Sequence, residues 1–182
     1  MVERPNSKVV PEPVPESLKL KVVVVGDQAV GKTSLLKRFT QNDYSADEEK
    51  TIGSDFYTKQ FKSPAKGLVT VTCWDLSGDP TYIDVRNEFY KDSQVLFIFF
   101  DVTIRKTFDA IDMWLREVSK YGGDHLQNAC VIVGCKADSK AKRAVMREEA
   151  ESWAKQRGFF GYYDTSAMEN TGITQLFNEV AA

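Results

Sequence analysis

The stretch GDQAVGKT, residues 26–33, decides how this chain is read. It follows KLKVVVV (19–25), a run of β-branched valine that reads as a strand buried in a parallel sheet. SLLKRF (34–39) comes next, with Leu35, Leu36 and Phe39 at helical spacing. A G-x-x-x-x-G-K-[ST] loop between a strand and a helix is the arrangement that cradles phosphate. Gly26 and Gly31 let the backbone wrap closely, so that the N–H groups of Ala29, Val30, Gly31, Lys32, Thr33 and Ser34 surround one spot. The positive end of the helix adds to the field there. Lys32 is expected to reach the β- and γ-phosphates, and the Thr33 hydroxyl to ligate Mg²⁺.

The 182 residues suit one domain with a full core. Hydrophobic residues make up 42% and charged residues 27%, as in ordinary globular proteins. A formal net charge of −2 offers no basic field for nucleic acid. No apolar run reaches the length of a membrane span, and no signal peptide heads the chain. Cys73, Cys130 and Cys135 are odd in number and fall in or beside expected strands, which fits the reduced thiols of a cytoplasmic protein. His125 stands alone, cannot build a zinc site and is expected in a solvent-facing loop.

Residues 1–17 hold Pro5, Pro11, Pro13 and Pro15 and read as an extended lead-in to a domain at 18–182. Val2 is not the glycine that N-myristoylation needs. After the first helix a polar loop runs over 40–50. Two strands are expected at 54–62 and 68–74, turning at the Pro64–Gly67 region. DLSGDP (75–80) leads into a weak helical stretch to about Tyr90. Further strands are expected at 94–100, 129–135 and 159–167, and helices around 108–118, 150–158 and 173–180. The alternation of strands and helices is that of a doubly wound α/β sheet: three layers, six mostly parallel strands flanked by helices, with ligands at the carboxyl ends of strands.

Five segments at strand ends or adjoining loops carry the chemistry: GDQAVGKT, KTIGSDF (50–56), WDLSGD (74–79), GCKAD (134–138) and TSAM (165–168). On them the chain resembles the Ras-superfamily small GTPases over 19–182, closest to the Rab group. VRNEFYKDSQ (85–94) is similar to a Rab-like subset, the RJL group, some of whose members carry a J domain. A J domain needs His-Pro-Asp, and His125 precedes Leu126, so no J activity is expected from this chain.

The resemblance implies a P-loop G domain that binds GTP and GDP with Mg²⁺. Thr51 would ligate the cation and contact the γ-phosphate, and Asp75 would complete the oxygen set with Thr33. Gly78 would bring its N–H to the γ-phosphate, and loss of that phosphate would release the loops. Tyr44 would pack against the guanine. Asp138 would accept from the guanine N1 and exocyclic amine, Lys136 would lie over the ring, and the N–H of Ala167, between Ser166 and Met168, would read O6. Phe56, Trp74 and Phe89 match an aromatic trio offered to protein effectors, with exchange and activating factors as further partners. A monomer is expected. Membrane attachment is not visible in the sequence, which ends Glu179-Val180-Ala181-Ala182 without a cysteine.

Three positions depart from that pattern. Cys135 replaces the Asn that ties the base loop to the phosphate loop. Asp79 replaces the Gln that orients the attacking water, and its charge would face an anionic phosphate. Gln28 stands where Gly or Ser is usual and would crowd an arginine finger. Tight binding with very slow hydrolysis is the expectation, with catalytic roles resting on Asp79, Lys32 and Gly78. A GTP-loaded scaffold that does not hydrolyse is the second reading. A P-loop kinase or ATPase is the third, disfavoured by Asp138.

Overall fold

Successive valines of the first strand face opposite sides of a sheet, and both sides are covered. The computed structural model describes residues 17–182; the lead-in expected at 1–17 lies outside these residues except for Ser17. Strand β1 (Leu18–Gly26) is followed by helix α1 (Lys32–Gln41), strands β2 (Ser54–Ser63) and β3 (Gly67–Leu76), and a short helix α2 (Ile83–Arg86) flanked by 3₁₀ turns at Pro80–Tyr82 and Asn87–Phe89. Strand β4 (Val95–Asp101), helices α3 (Arg105–Asp109) and α4 (Ile111–Lys120), strand β5 (Cys130–Cys135), helix α5 (Arg147–Gln156), strand β6 (Gly161–Asp164) and helix α6 (Ile173–Val180) complete the order.

The six strands form one sheet in the order β2-β3-β1-β4-β5-β6. β2 runs antiparallel to β3, and the other pairs are parallel. Val22, Val24, Phe97, Phe99, Val131 and Val133 point to the face covered by Leu35, Leu36 and Phe39 of α1 and Ile173, Leu176 and Phe177 of α6. Phe39 and Phe177 stack with ring centroids 3.5 Å apart. Val23, Val25, Leu96, Ile98, Phe100 and Ile132 point to the other face, covered by Phe108 of α3, Ile111, Trp114 and Val118 of α4, and Ala150 and Ala154 of α5. The period of two along each strand therefore makes two cores from one sheet. Burial of each such aliphatic side chain contributes about 1.5–3 kcal/mol.

Four local expectations shift. The helix expected at 108–118 is two helices that part at Ala110. The stretch to Tyr90 is a broken helix in which Arg86 and Tyr90 turn inward, Tyr90 into the second core. β6 is four residues long because Ser166 and Thr171 pair across a tight loop and end it. His125 is exposed, as expected, yet lies in a 3₁₀ helix with Nε2 2.9 Å from the Ser93 carbonyl oxygen. The three cysteines are free and buried. No helix among the described residues is long and apolar enough to cross a membrane.

Candidate functional site

β1 lies between β3 and β4, so the chain leaves it toward one side of the sheet and later returns on the other. A crevice opens at such a reversal, outside the carboxyl ends of the strands. Here it is a cleft of about 520 Å³, within the range of small-ligand pockets. All five motif segments reach its wall: Gln28, Ala29, Gly31, Lys32, Thr33 and Ser34; Lys50 and Thr51; Ser77, Gly78 and Asp79; Cys135, Lys136 and Asp138; Thr165, Ala167 and Met168. Tyr44 lines it too. Val30 and Ser166 are buried and absent from the wall, so only their backbone can serve a ligand. Asp75 is fully buried beneath it.

At the floor, Gly26 has φ +143°, and a Cβ there would run into the Phe99 carbonyl oxygen. No larger residue fits this turn. Lys32 is the first residue of α1 and is 6% exposed. Its Nζ donates to the carbonyl oxygens of Gly26 and Asp27, both at 2.9 Å. An ammonium has three donors, so one remains for a ligand. Burial pushes its pKa below the ordinary lysine value, opposed by the nearby Asp75 charge. An anion beside it would relieve that cost.

Three oxygens meet next to it. The Thr33 hydroxyl donates to Asp75 Oδ2 at 2.5 Å, the Thr51 hydroxyl reaches the same oxygen at 3.1 Å, and the two hydroxyls are 3.0 Å apart. Asp75 Oδ1 is buried with no hydrogen-bond partner. Burial raises the Asp75 pKa, opposed by Lys32 and by both threonine hydroxyls. A small hard cation fits this set. It would take the hydroxyl oxygens as ligands and offset the buried carboxylate charge. Its chemistry would be neutralisation of phosphate charge. Among the described residues no cluster of His, Cys, Asp and Glu offers an alternative metal site.

The opposite end is built differently. Lys136 is a non-glycine residue at φ +62°. Its Nζ donates to the Ala29 carbonyl at 2.8 Å and pairs with Asp101 Oδ2 at 2.7 Å. Asp138 is half-buried on the wall. Arg38 of α1 donates to the Ala167 carbonyl at 2.7 Å and lies 5.8 Å from the Tyr44 ring centroid, joining both sides of this end. The Cys135 Sγ is 3.9 Å from the Thr165 hydroxyl, a weak contact. Burial pushes this thiol up to about 12, so it stays protonated at neutral pH.

The rim holds the other two departures, Asp79 and Gln28. Gly78 lies against the phosphate loop: a Cβ there would be 2.5 Å from the Gly26 carbonyl oxygen and 2.6 Å from the Gln28 nitrogen. Asp79 Oδ1 accepts from the Thr81 N–H at 2.9 Å and caps the Pro80–Tyr82 turn. That backbone bond, with a smaller contribution from the Gln28 side chain, holds its pKa below the usual carboxylate value. Buried Arg86 donates to the carbonyls of Ser77 at 2.9 Å and Asp79 at 2.6 Å, and forks onto Glu117 of α4. Beside the rim, Trp74 lies 5.5 Å from Phe56 and 4.8 Å from Phe89 between ring centroids, with Phe56 59% exposed. The expected trio is one surface.

Sequence reasoning missed Asp27, Trp114, Arg86, Glu117, Arg38 and Asp101. Trp114 Nε1 donates to Asp27 Oδ1 at 2.9 Å, turning the loop's own carboxylate toward α4. A carboxylate inside a phosphate loop is itself a signal that a partner must hold it aside. The Asp79-Pro80 pair was the readable sign of a cap.

The sequence model of the Ras family matches residues 21–182. The chain is 37% identical over 162 residues to Ras-related protein RABA1i of Arabidopsis thaliana, covering 88% of this chain and 72% of that protein. It is 36% identical over 157 residues to Ras-related protein Rab11D of Nicotiana tabacum, covering 86% and 69%. It is 35% identical over 165 residues to DnaJ homolog subfamily C member 27 of Danio rerio, covering 89% of this chain and 60% of that protein's length.

Proposed function

The chain belongs to the Ras family, and on that premise we propose that it is a guanine-nucleotide switch. It binds GTP and GDP with Mg²⁺, hydrolyses GTP slowly, and meets protein effectors, exchange factors and activating factors through the loops around Thr51 and Gly78. One observation carries this reading. A single cleft has a buried ammonium and a hydroxyl–carboxylate set at one end, and Lys136 and Asp138 at the other.

Lys32 neutralises phosphate charge with its remaining N–H, and the amides of 29–34 hold the phosphate oxygens. Thr33, Thr51 and Asp75 hold the cation. Thr51 and Gly78 link nucleotide state to shape, because Ser77 N–H donates to the Gly53 carbonyl at 2.9 Å and ties the two loops together. Asp138 selects guanine by accepting from two donors that adenine does not present at that edge. The Phe56–Trp74–Phe89 surface next to these loops is the effector surface. Resemblance to the Rab group supports a role in vesicle trafficking or signalling in the cytoplasm, as a monomer.

Slow hydrolysis follows from what Asp79 does. An ionised carboxylate can only accept, and this one is engaged with Thr81. The same cap favours a second reading, a GTP-loaded scaffold that does not turn over. Nucleotide released from purified protein and identified by chromatography tests both. GDP is the expected result, persistent GTP favours the scaffold, and an adenine nucleotide overturns the proposal.

A further inference from the structure

Cys135 stands where the family resemblance implies an Asn that ties the base loop to the phosphate loop, and the structure holds these two loops together through Lys136. Lys136 Nζ reaches the Ala29 carbonyl at 2.8 Å, and the same ammonium is gripped by Asp101 at the end of β4. Asp101 is 2% exposed. Its Oδ1 accepts from the Thr103 N–H at 2.9 Å and the Thr103 hydroxyl at 2.6 Å, and its own N–H donates to Thr107 Oγ1 at 3.0 Å. Both acceptor oxygens are therefore committed, one to its own loop and one to Lys136. Ala29 and Lys136 are also two of the four non-glycine residues at positive φ among the described residues, at +61° and +62°. Such backbone persists only where its surroundings over-determine it. The Lys136 bond joins those two positions directly.

We propose that Asp101 is a positioning residue for nucleotide retention: it aims Lys136 at Ala29 and so takes over the loop-to-loop tie that Cys135 has given up. This rests on the reading of the cleft as a guanine-nucleotide site. Lys136 is 44% exposed on its side chain, so solvent screens the pair and its role in global stability is small. Its role is aim. A long, flexible ammonium over a base loses rotamer freedom on binding, and the buried carboxylate removes that freedom before the nucleotide arrives. Cys135 cannot share this work, because a neutral thiol is a weak hydrogen-bonding group and the hydrogen-bond contact this one makes is with Thr165.

The test is the dissociation rate of fluorescent GDP from wild type, Asp101→Asn, Cys135→Asn and the double variant, each with Mg²⁺ in excess. Asn at 101 keeps an acceptor for Thr103 but turns an N–H₂ toward the ammonium. Losing one charge-assisted bond should speed release about tenfold. Cys135→Asn should bring the double variant back to within about threefold of wild type, since two ties doing one job are not additive. Damage to the fold alone would not be rescued in this way. Release from Asp101→Asn within about twofold of wild type, or a fast release that Cys135→Asn does not slow, overturns the proposal while leaving guanine binding intact. Wild type that retains no guanine nucleotide overturns the reading beneath it. Should Asp101→Asn not fold, Cys135→Asn alone decides: slowing of about threefold or less supports the Asp101 tie, and slowing of tenfold or more contradicts it.

Discussion

The floor of the cleft and its rim both draw on the GDQAVGKT and WDLSGD segments but obey different constraints. At the floor, Lys32 and Asp75 are buried and Gly26 admits no side chain. Thr33 and Thr51 converge on one carboxylate oxygen. At the rim, Gln28 is exposed and the Asp79 carboxylate is occupied by a backbone N–H three ångströms or less away, at 2.9 Å. The floor is built around charges that need a ligand, whereas the rim is built around its own backbone. On the proposed reading, holding a nucleotide and breaking it are separable properties of this fold, and the residues of the cleft suit the first more completely than the second.

The largest effect should come from breaking the floor itself. Gly26→Ala places a Cβ against the Phe99 carbonyl at a φ that L-residues avoid, and should cost more than about 4 kcal/mol, seen as loss of a cooperative melt. Lys32→Met keeps the volume and removes the charge. GDP affinity should fall on the order of 10², about 3 kcal/mol for the one charge-assisted bond that the remaining N–H can make to phosphate. The melting temperature without nucleotide should hold or rise, because a desolvated ammonium is gone. If affinity and nucleotide-free stability fell together, the floor would be a structural cluster and the contrast with the rim would fail.

The rim has its own anchor. Arg86→Met leaves Glu117 without its ion pair and frees the Ser77 and Asp79 carbonyls. A loss of about 3 kcal/mol is expected in denaturant unfolding, with hydrogen exchange rising first at 77–82. The smallest change in stability should follow Phe56→Ala on the outer surface, within about 0.5 kcal/mol. Its effect should appear instead as lost recovery of partners by the protein loaded with a non-hydrolysable GTP analogue, relative to the GDP form.

Contiguous features were legible in the sequence and long-range polar contacts were not. The valine run, the glycines of 26–33 and the Pro64–Gly67 turn each encode a local conformation, so the strand–loop–helix, the hairpin and the α/β class could be read directly. Thr33, Thr51 and Asp75 were legible only as separate motifs, and the sheet order brings them together. Trp114 with Asp27, Arg86 with Glu117, and Lys136 with Asp101 are 87, 31 and 35 residues apart in the chain (from 114 − 27, 117 − 86 and 136 − 101). No periodicity marks such pairs, because a polar side chain on a helix face looks the same whether solvent or a distant carboxylate meets it. α3 ends and α4 begins at Ala110, whose backbone is itself helical at φ −72° and ψ −12°, and an amphipathic pattern running across it conceals the boundary.

Single-turnover GTP hydrolysis by wild type and Asp79→Gln, measured beside GDP release from the same preparations, tests the separation of floor and rim most directly. Wild type should retain GDP tightly and hydrolyse GTP slowly, and Asp79→Gln should speed hydrolysis with release unchanged. A wild type that hydrolyses fast, with a rate the substitution does not alter, would contradict the account.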